Sequence, residues 1–286
     1  TQDMAVMKKL EEKTKRNQPM TTEELKFLYE IDHKIEGFGY QKDPRIAELR
    51  ATRNPEQDMP IVFDLPKEQI ARSVDQIDEF TMAYVGPLVP GIFEMLPDHV
   101  EHIYAHFPEG KIRRHEIEIG GKDESELEAL LTSEGHQLWG ESKFMMQSED
   151  FKRSLRIEDP NEKDFTKWKL KSPEEAKLIR LTVADLGFPN GATVQQIFDH
   201  AIVLGLELCP PEVGPEFRLQ YKDQPMDEWV YIGMKQISGT DRNPRVFYVA
   251  RYSYGSSLNN NWAEPTYKWH ADYKIVFRLR KKSSDT

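Results

Sequence analysis

The sequence predicts an α+β protein with a helical N-terminal region, one or two β-loop-α units, and an aromatic-rich antiparallel sheet at the C-terminus. Three observations carry that prediction. Capped segments with helical spacing crowd the first 55 residues. Two later stretches read as strand, polar loop, capped helix and returning strand. Thirteen aromatic residues then fall between Phe217 and Phe277, about twice the density of the whole chain. These features divide the chain into a helical, α+β region over 1–150, a connecting segment over 151–176, and an α+β region with a meander over 177–286.

Each element has a local reason. Residues 3–16 are mostly polar, so a helix there has a thin apolar face and is expected to fray. Thr21 and Glu24 form a capping-box pattern ahead of Leu25, Leu28, Ile31 and Ile35, whose spacings of three and four make an apolar stripe. Gly37 and Gly39 suit the end of that helix. Asp43 then caps a third helix that opens with Pro44. Residues 59–65 read as a short strand and 67–85 as helical. Pro87, Pro90 and Pro97 restrict the next stretch to turns and short helices. Asp98 is expected to open a helix over 99–107 that stops at Pro108–Gly110.

Residues 111–121 read as a strand, Asp123 as a cap, and 125–135 as a helix closed by Gly135. The polar segment 140–176 carries one short helix at SKFMMQ. Residues 177–188 form a second strand, 189–193 a turn ending in the cap Thr193, and 194–205 a helix before another strand at GLELCPP. The two units resemble each other at a separation of about 70 residues, as a degenerate repeat would; such units are also common in unrelated proteins. Strands are expected over 217–222, 228–237, 245–254 and 273–281. Their separators carry Asn, Asp, Gly and Pro, and 255–272 reads as a long polar loop.

Composition narrows the function classes. The chain is 38% hydrophobic and 31% charged, against about 45–50% and 25% in ordinary domains. Fourteen Phe, 11 Tyr and 5 Trp still supply a core, which excludes general disorder. No stretch approaches the roughly 18 apolar residues that cross a bilayer. The charged opening lacks the apolar segment of a secretory signal, while the missing initial Met fits a fragment or a processed chain. A single cysteine, Cys209, excludes an internal disulfide and a multi-thiolate zinc site. The net charge of −10 disfavours nucleic acid and anionic membranes as partners of the whole molecule. It is unevenly spread: residues 216–286 hold 12 Lys/Arg against 8 Asp/Glu, a net of +4, which leaves −14 for residues 1–215.

Candidate chemistry is sparse. On the expected helix, His99, His102 and His106 share one face at i, i+3 and i+7 and could offer imidazoles to a divalent metal for hydrolysis. No H-E-x-x-H motif supplies a general base beside them. Gly120-Gly121-Lys122 lacks the phosphate-loop pattern, and Asp123 would repel phosphate, so a glycine turn with a helix cap is expected. No G-x-S-x-G motif is present. Cys209 at a strand end reads as a buried structural thiol. Tyr252, Tyr254, Asn260, Trp262 and Trp269 surround the Asn-rich loop, where aromatic faces beside amides suit a polar ligand or a protein surface. Arg251, Lys268, Arg278 and Arg280 would add phosphate attraction if that ligand were nucleic acid.

LTVADLGFPNGAT, LGLELCPPEVGP, FRLQYKDQP, EWVYIGMKQI and KIVFRLRK resemble an uncharacterised bacterial protein family. KFLYEIDHKIEGFGYQKDPRI and FPEGKIRRHEIEIGG resemble its upstream part. Some members carry a helicase-like label, which would require ATP and nucleic-acid motifs that this sequence lacks. The resemblance implies a bacterial, cytoplasmic setting and supplies no fold, ligand or catalytic residue. The leading expectation is a non-catalytic binding or protein-interaction module without a required cofactor. The alternatives are a metal-assisted hydrolase on the histidine helix and a nucleic-acid accessory protein lacking its own ATPase motor.

Overall fold

A computed structural model describes residues 2–35 and 42–281. The expected α+β architecture is present. The chain divides into two compact units, residues 1–87 with 96–111 and residues 88–95 with 112–286. The divisions expected near 150 and 176 therefore fall inside the second unit, where the strands on either side of that segment pair with each other. Among the described residues, no helix is long and apolar enough to cross a membrane.

The first unit contains α1 (Gln2–Lys15), α2 (Thr22–Leu28), α3 (Pro44–Ala51), α4 (Pro55–Phe63) and the short parallel strands β1 (Ile70–Ala71), β2 (Ala83–Val85) and β3 (His102–Tyr104). The thin apolar face of α1 is fully used. Met7 and Leu10 are buried against Leu28, Ile35, Ile46 and Leu49, and Lys9 and Lys13 pair with Glu24. The Thr21–Glu24 capping box forms as expected, as does the Asp43 cap before Pro44. Gly37 and Gly39 lie outside the described residues.

Four expectations fail in this unit. α2 ends at Leu28 with Tyr29 as its C-cap, so Ile31 and Ile35 lie beyond the helix, although both are buried. Residues 59–65 are helical through Phe63: Asn54 caps α4, Pro55 occupies its first turn, and Met59, Val62 and Phe63 are buried at helical spacing. A short unbroken apolar run carries no period, and burial on one side decided its form. Residues 67–85 make two short 3-10 turns and two strands in place of helix. Residues 99–107 do not form a helix either; Ile103 lies opposite Tyr84 in the parallel β2–β3 pair, and both are buried.

The second unit runs α5 (Ile92–Met95), β4 (Lys111–Ile119), α6 (Glu124–Ser133), β5 (Gln137–Leu138), α7 (Gly140–Gln147), α8 (Glu149–Ser154), β6 (Glu174–Thr182), β7 (Ala192–Thr193), α9 (Val194–Val203), β8 (Leu206–Glu207) and α10 (Val213–Gln220). It continues with β9 (Trp229–Ile232), β10 (Ile237–Ser238), β11 (Pro244–Tyr252), β12 (Gly255–Trp262), β13 (Lys268–Trp269) and β14 (Lys274–Leu279). Its sheet has the order β4-β6-β14-β9-β11-β12-β5, with β14–β9 and β12–β5 parallel and the rest antiparallel. The C-terminal antiparallel strands are thus part of a mixed sheet in which β14 returns between β6 and β9.

Both capped helices form as expected, with capping boxes at Asp123–Glu126 and Thr193–Gln196. The repeat-like resemblance ends at the returning strands. β5 joins β12 in parallel, whereas β8 joins β14 antiparallel. Four segments differ from expectation. The strand expected over 177–188 stops at Thr182 and continues as a turn, and α8 adds a second helix to the segment 140–176. Residues 217–222 fall largely in α10 despite the strand-like alternation of Phe217, Leu219 and Tyr221 with Arg218 and Gln220, because Arg218 is buried together with the apolar residues; the Phe217 and Tyr221 rings stack at 4.9 Å, one helical turn apart. Residues 255–262 are a strand, joined to β11 by a tight turn that pairs Tyr252 with Gly255, whose φ is +135°.

Candidate functional site: an aromatic sheet face

Residues directly opposite each other on antiparallel strands project from the same face. Register therefore places Trp229, Ala250 and Ser257 in one row and Tyr231, Tyr248 and Asn259 in the next. The rings form a continuous array. Tyr254 stacks on Tyr252 at 5.0 Å and 7°, and Tyr252 and Tyr248 lie 6.1 and 5.9 Å from Trp229. Tyr231 is 5.0 Å from Tyr248 and stacks on Tyr273 at 4.7 Å and 7°.

Ala250 and Ser257 are small and buried, as is Asn259. The Asn259 amide donates to the Ser257 hydroxyl at 3.0 Å and lies 3.5 Å from the Tyr252 hydroxyl. Burial, followed by the neighbouring phenols, pushes the Tyr231 and Tyr252 hydroxyls up, and burial does the same for Tyr248. All three stay protonated at neutral pH. The face is open at one end, where Trp229 is 45% and Tyr254 64% exposed. At the other end it merges with the core through Trp269, which meets Tyr231 at 5.3 Å and Phe198 of α9 at 6.1 Å.

Of the residues expected from sequence, Tyr252 and Tyr254 belong to this array. Asn260 projects from the opposite face, because 255–262 is a strand and consecutive side chains alternate. Its amide accepts from Arg245 at 2.8 Å and donates to the Ser142 hydroxyl at 3.0 Å, tying β12 to α7. Trp262 makes a separate patch with Tyr267 at 6.4 Å and the Arg245 guanidinium at 5.8 Å. Trp269 is 0% exposed and is core, its indole N–H donating to the Trp262 carbonyl at 3.2 Å. Sequence reasoning missed Trp229, Tyr231, Tyr248, Tyr273 and Asn259. The alternation of Trp229 with Tyr231 and of Tyr248 with Tyr252 was a usable signal; Asn259 was hidden by taking its strand for a loop.

The histidine arrangement does not form. With residues 102–104 in a strand, His99, His102 and His106 share no helix face. The His102 ring stacks on Phe63 at 4.3 Å and 10°, and burial, then Lys111, lowers its pKa. Among the described residues no group of three His, Cys, Asp or Glu is arranged to hold a metal ion. Most cations proposed for nucleic acid are engaged. Arg251 donates to the Gln224 carbonyl, Arg278 pairs with Glu174 and Glu207, and Arg280 pairs with Glu94, while Lys268 is exposed. Cys209 is buried, its thiol 3.6 Å from the Val276 carbonyl, and burial pushes its pKa up, which disarms it as a nucleophile. Set against protein-family models, curated proteins and solved structures, the chain finds no match.

Proposed function

We propose that this protein is a non-catalytic binding module that holds a neutral, polar, ring-shaped ligand against the aromatic face of its second unit. The observation that carries the reading is the open array of Tyr254, Tyr252, Trp229 and Tyr248, set beside the buried Asn259 amide. Stacked rings offer flat apolar area, and neutral phenols and an amide offer hydrogen bonds, which together match a sugar ring. The C-terminal arginines that would attract a polyanion are tied to carboxylates or to backbone, which favours a neutral ligand over nucleic acid. A cytoplasmic setting belongs to the same proposal and accords with the single unpaired, buried thiol.

Tryptophan fluorescence titrations with soluble chito-, cello- and malto-oligosaccharides test the reading. We expect a saturable response from at least one series that disappears in Trp229→Ala and Tyr254→Ala with the fold retained. If none of the three series gives a response by fluorescence or calorimetry, the carbohydrate reading is rejected.

A further inference from the structure

On the opposite face of the same sheet, register creates an unusual charge arrangement. Arg113 of β4 stands directly across from Arg180 of β6, and His115 is across from Leu178. Lys274 of β14 lies across from Thr182, on the same face. Like charges directly opposite each other on a sheet repel, and more strongly when they are shielded from water. One buried carboxylate answers them: Glu228 accepts from Arg180 at 2.6 Å, from Lys274 at 2.7 Å and from the Tyr221 hydroxyl at 2.6 Å. Asp223, exposed at the rim, acts on His115 from a distance. Arg251, across from Glu228 on this face, donates to the Gln224 carbonyl. Counting Asp223 and Arg251, four cations face two carboxylates.

Unpartnered polar atoms lie in the same place. The Nε atoms of Arg113 and Arg180 and the His115 Nε2 are buried and have no hydrogen-bond partner among the described residues. Arg180 itself is 6% exposed. The α10 side chains fix the geometry, with Phe217 and Tyr221 edge-on to the His115 ring at 5.1 and 4.7 Å. Burial, followed by Arg180, lowers the His115 pKa to about 4, so the ring is neutral at pH 7 and adds a polar atom without charge. Buried donors without partners beside surplus positive charge are what a missing anion leaves behind.

We propose that Arg113, Arg180, Lys274 and His115 form an oxyanion site for a phosphate group, on the face of the sheet opposite the aromatic array and independent of it. A tetrahedral oxyanion accepts several N–H bonds at once and cancels the surplus charge, which a neutral ligand cannot do.

Thermal unfolding of the full chain in inorganic phosphate tests this, with sodium chloride at matched ionic strength as the reference. We expect the midpoint to rise with phosphate above the chloride reference, as binding to the folded state requires. Arg113→Gln should weaken the apparent phosphate affinity by about tenfold or more, whereas Lys235→Gln, at an exposed position, should leave it unchanged. Because Arg113→Gln removes a cation opposite another cation, its midpoint without phosphate should equal or exceed that of the parent. Broadening of the phosphate phosphorus resonance by the parent protein gives a second readout that depends on no variant. Equal midpoints in phosphate and chloride with no broadening, or an identical phosphate response in Arg113→Gln, would overturn the proposal.

Discussion

Replacing Glu228 with Gln keeps the shape of the side chain and removes its charge. The carboxylate is 3% exposed and accepts three short hydrogen bonds, two of them from cations. Breaking a buried pair by deleting one partner costs about 3–5 kcal/mol, because the remaining charge is left uncompensated. The titration of the group gives an independent figure. Burial raises its pKa, but Arg180 and Lys274 outweigh that and hold it at about 2, against an ordinary 4.5. That depression corresponds to about 3 kcal/mol by linkage. Since the folded pKa is depressed, the stabilisation is complete above the unfolded value near 4.5 and drains as pH falls from about 5 toward 2. Glu228→Gln should therefore unfold about 6–20 °C lower than the parent at pH 7, and the difference should shrink steadily as pH falls toward 2. Denaturant unfolding followed by circular dichroism between pH 7 and pH 2.5 reads both. A deficit below about 1 kcal/mol at pH 7, or one that does not change with pH, would refute the reasoning.

Three further outcomes follow from the same geometry. Trp269→Ala should cost about 3–5 kcal/mol in denaturant unfolding, whereas Trp229→Ala at the open edge should stay within about 1 kcal/mol; equal losses would mean the array is core. Gly191→Ala should destabilise more than Gly187→Ala in the same assay. Both have left-handed φ, but a Cβ at Gly191 would collide with the Trp269 carbonyl, whereas nothing lies within 4 Å of one at Gly187. Cys209 should resist a thiol reagent in the native protein and react only at the rate of unfolding, since burial raises its pKa and hides the sulfur.

How much of this was legible in the sequence varies with the kind of signal. Capping patterns were decisive wherever a side chain bonds the backbone locally, as at Thr21, Asp43, Asp123 and Thr193. Hydrophobic period failed where burial was continuous. MPIVF is apolar without alternation, whereas Phe217, Leu219 and Tyr221 alternate with Arg218 and Gln220 as a strand would; tertiary packing, which buries Glu216 and Arg218 as well, made both stretches helical. The Asn-rich stretch 255–262 failed for the opposite reason. Asn is a poor strand former in isolation, but pairing along the full length of β11 fixes the backbone, and Asn260 and Asn259 are satisfied by Arg245, Ser142 and Ser257. That one misreading separated Tyr252 and Tyr254 from Asn259. The histidine helix was a spacing without a helix, since i, i+3 and i+7 mean a shared face only after the backbone has coiled.

The two faces of the sheet owe their different chemistry to alternation within single strands. Glu228 precedes Trp229, Arg251 precedes Tyr252, and Tyr273 precedes Lys274; in each pair the ring joins one face and the charged group the other. A slip of β9 by one residue would turn Trp229 and Tyr231 onto the face beneath α10 and carry Glu228 away from Arg180 and Lys274. It would leave two cations with no carboxylate between them and carry Val230 and Ile232, which are now fully buried, onto the aromatic face. The ion cluster therefore has a consequence separate from its own net energy. It penalises the one register error that would dismantle the aromatic array, so the array's geometry depends on charges that lie on the other side of the sheet and never touch it.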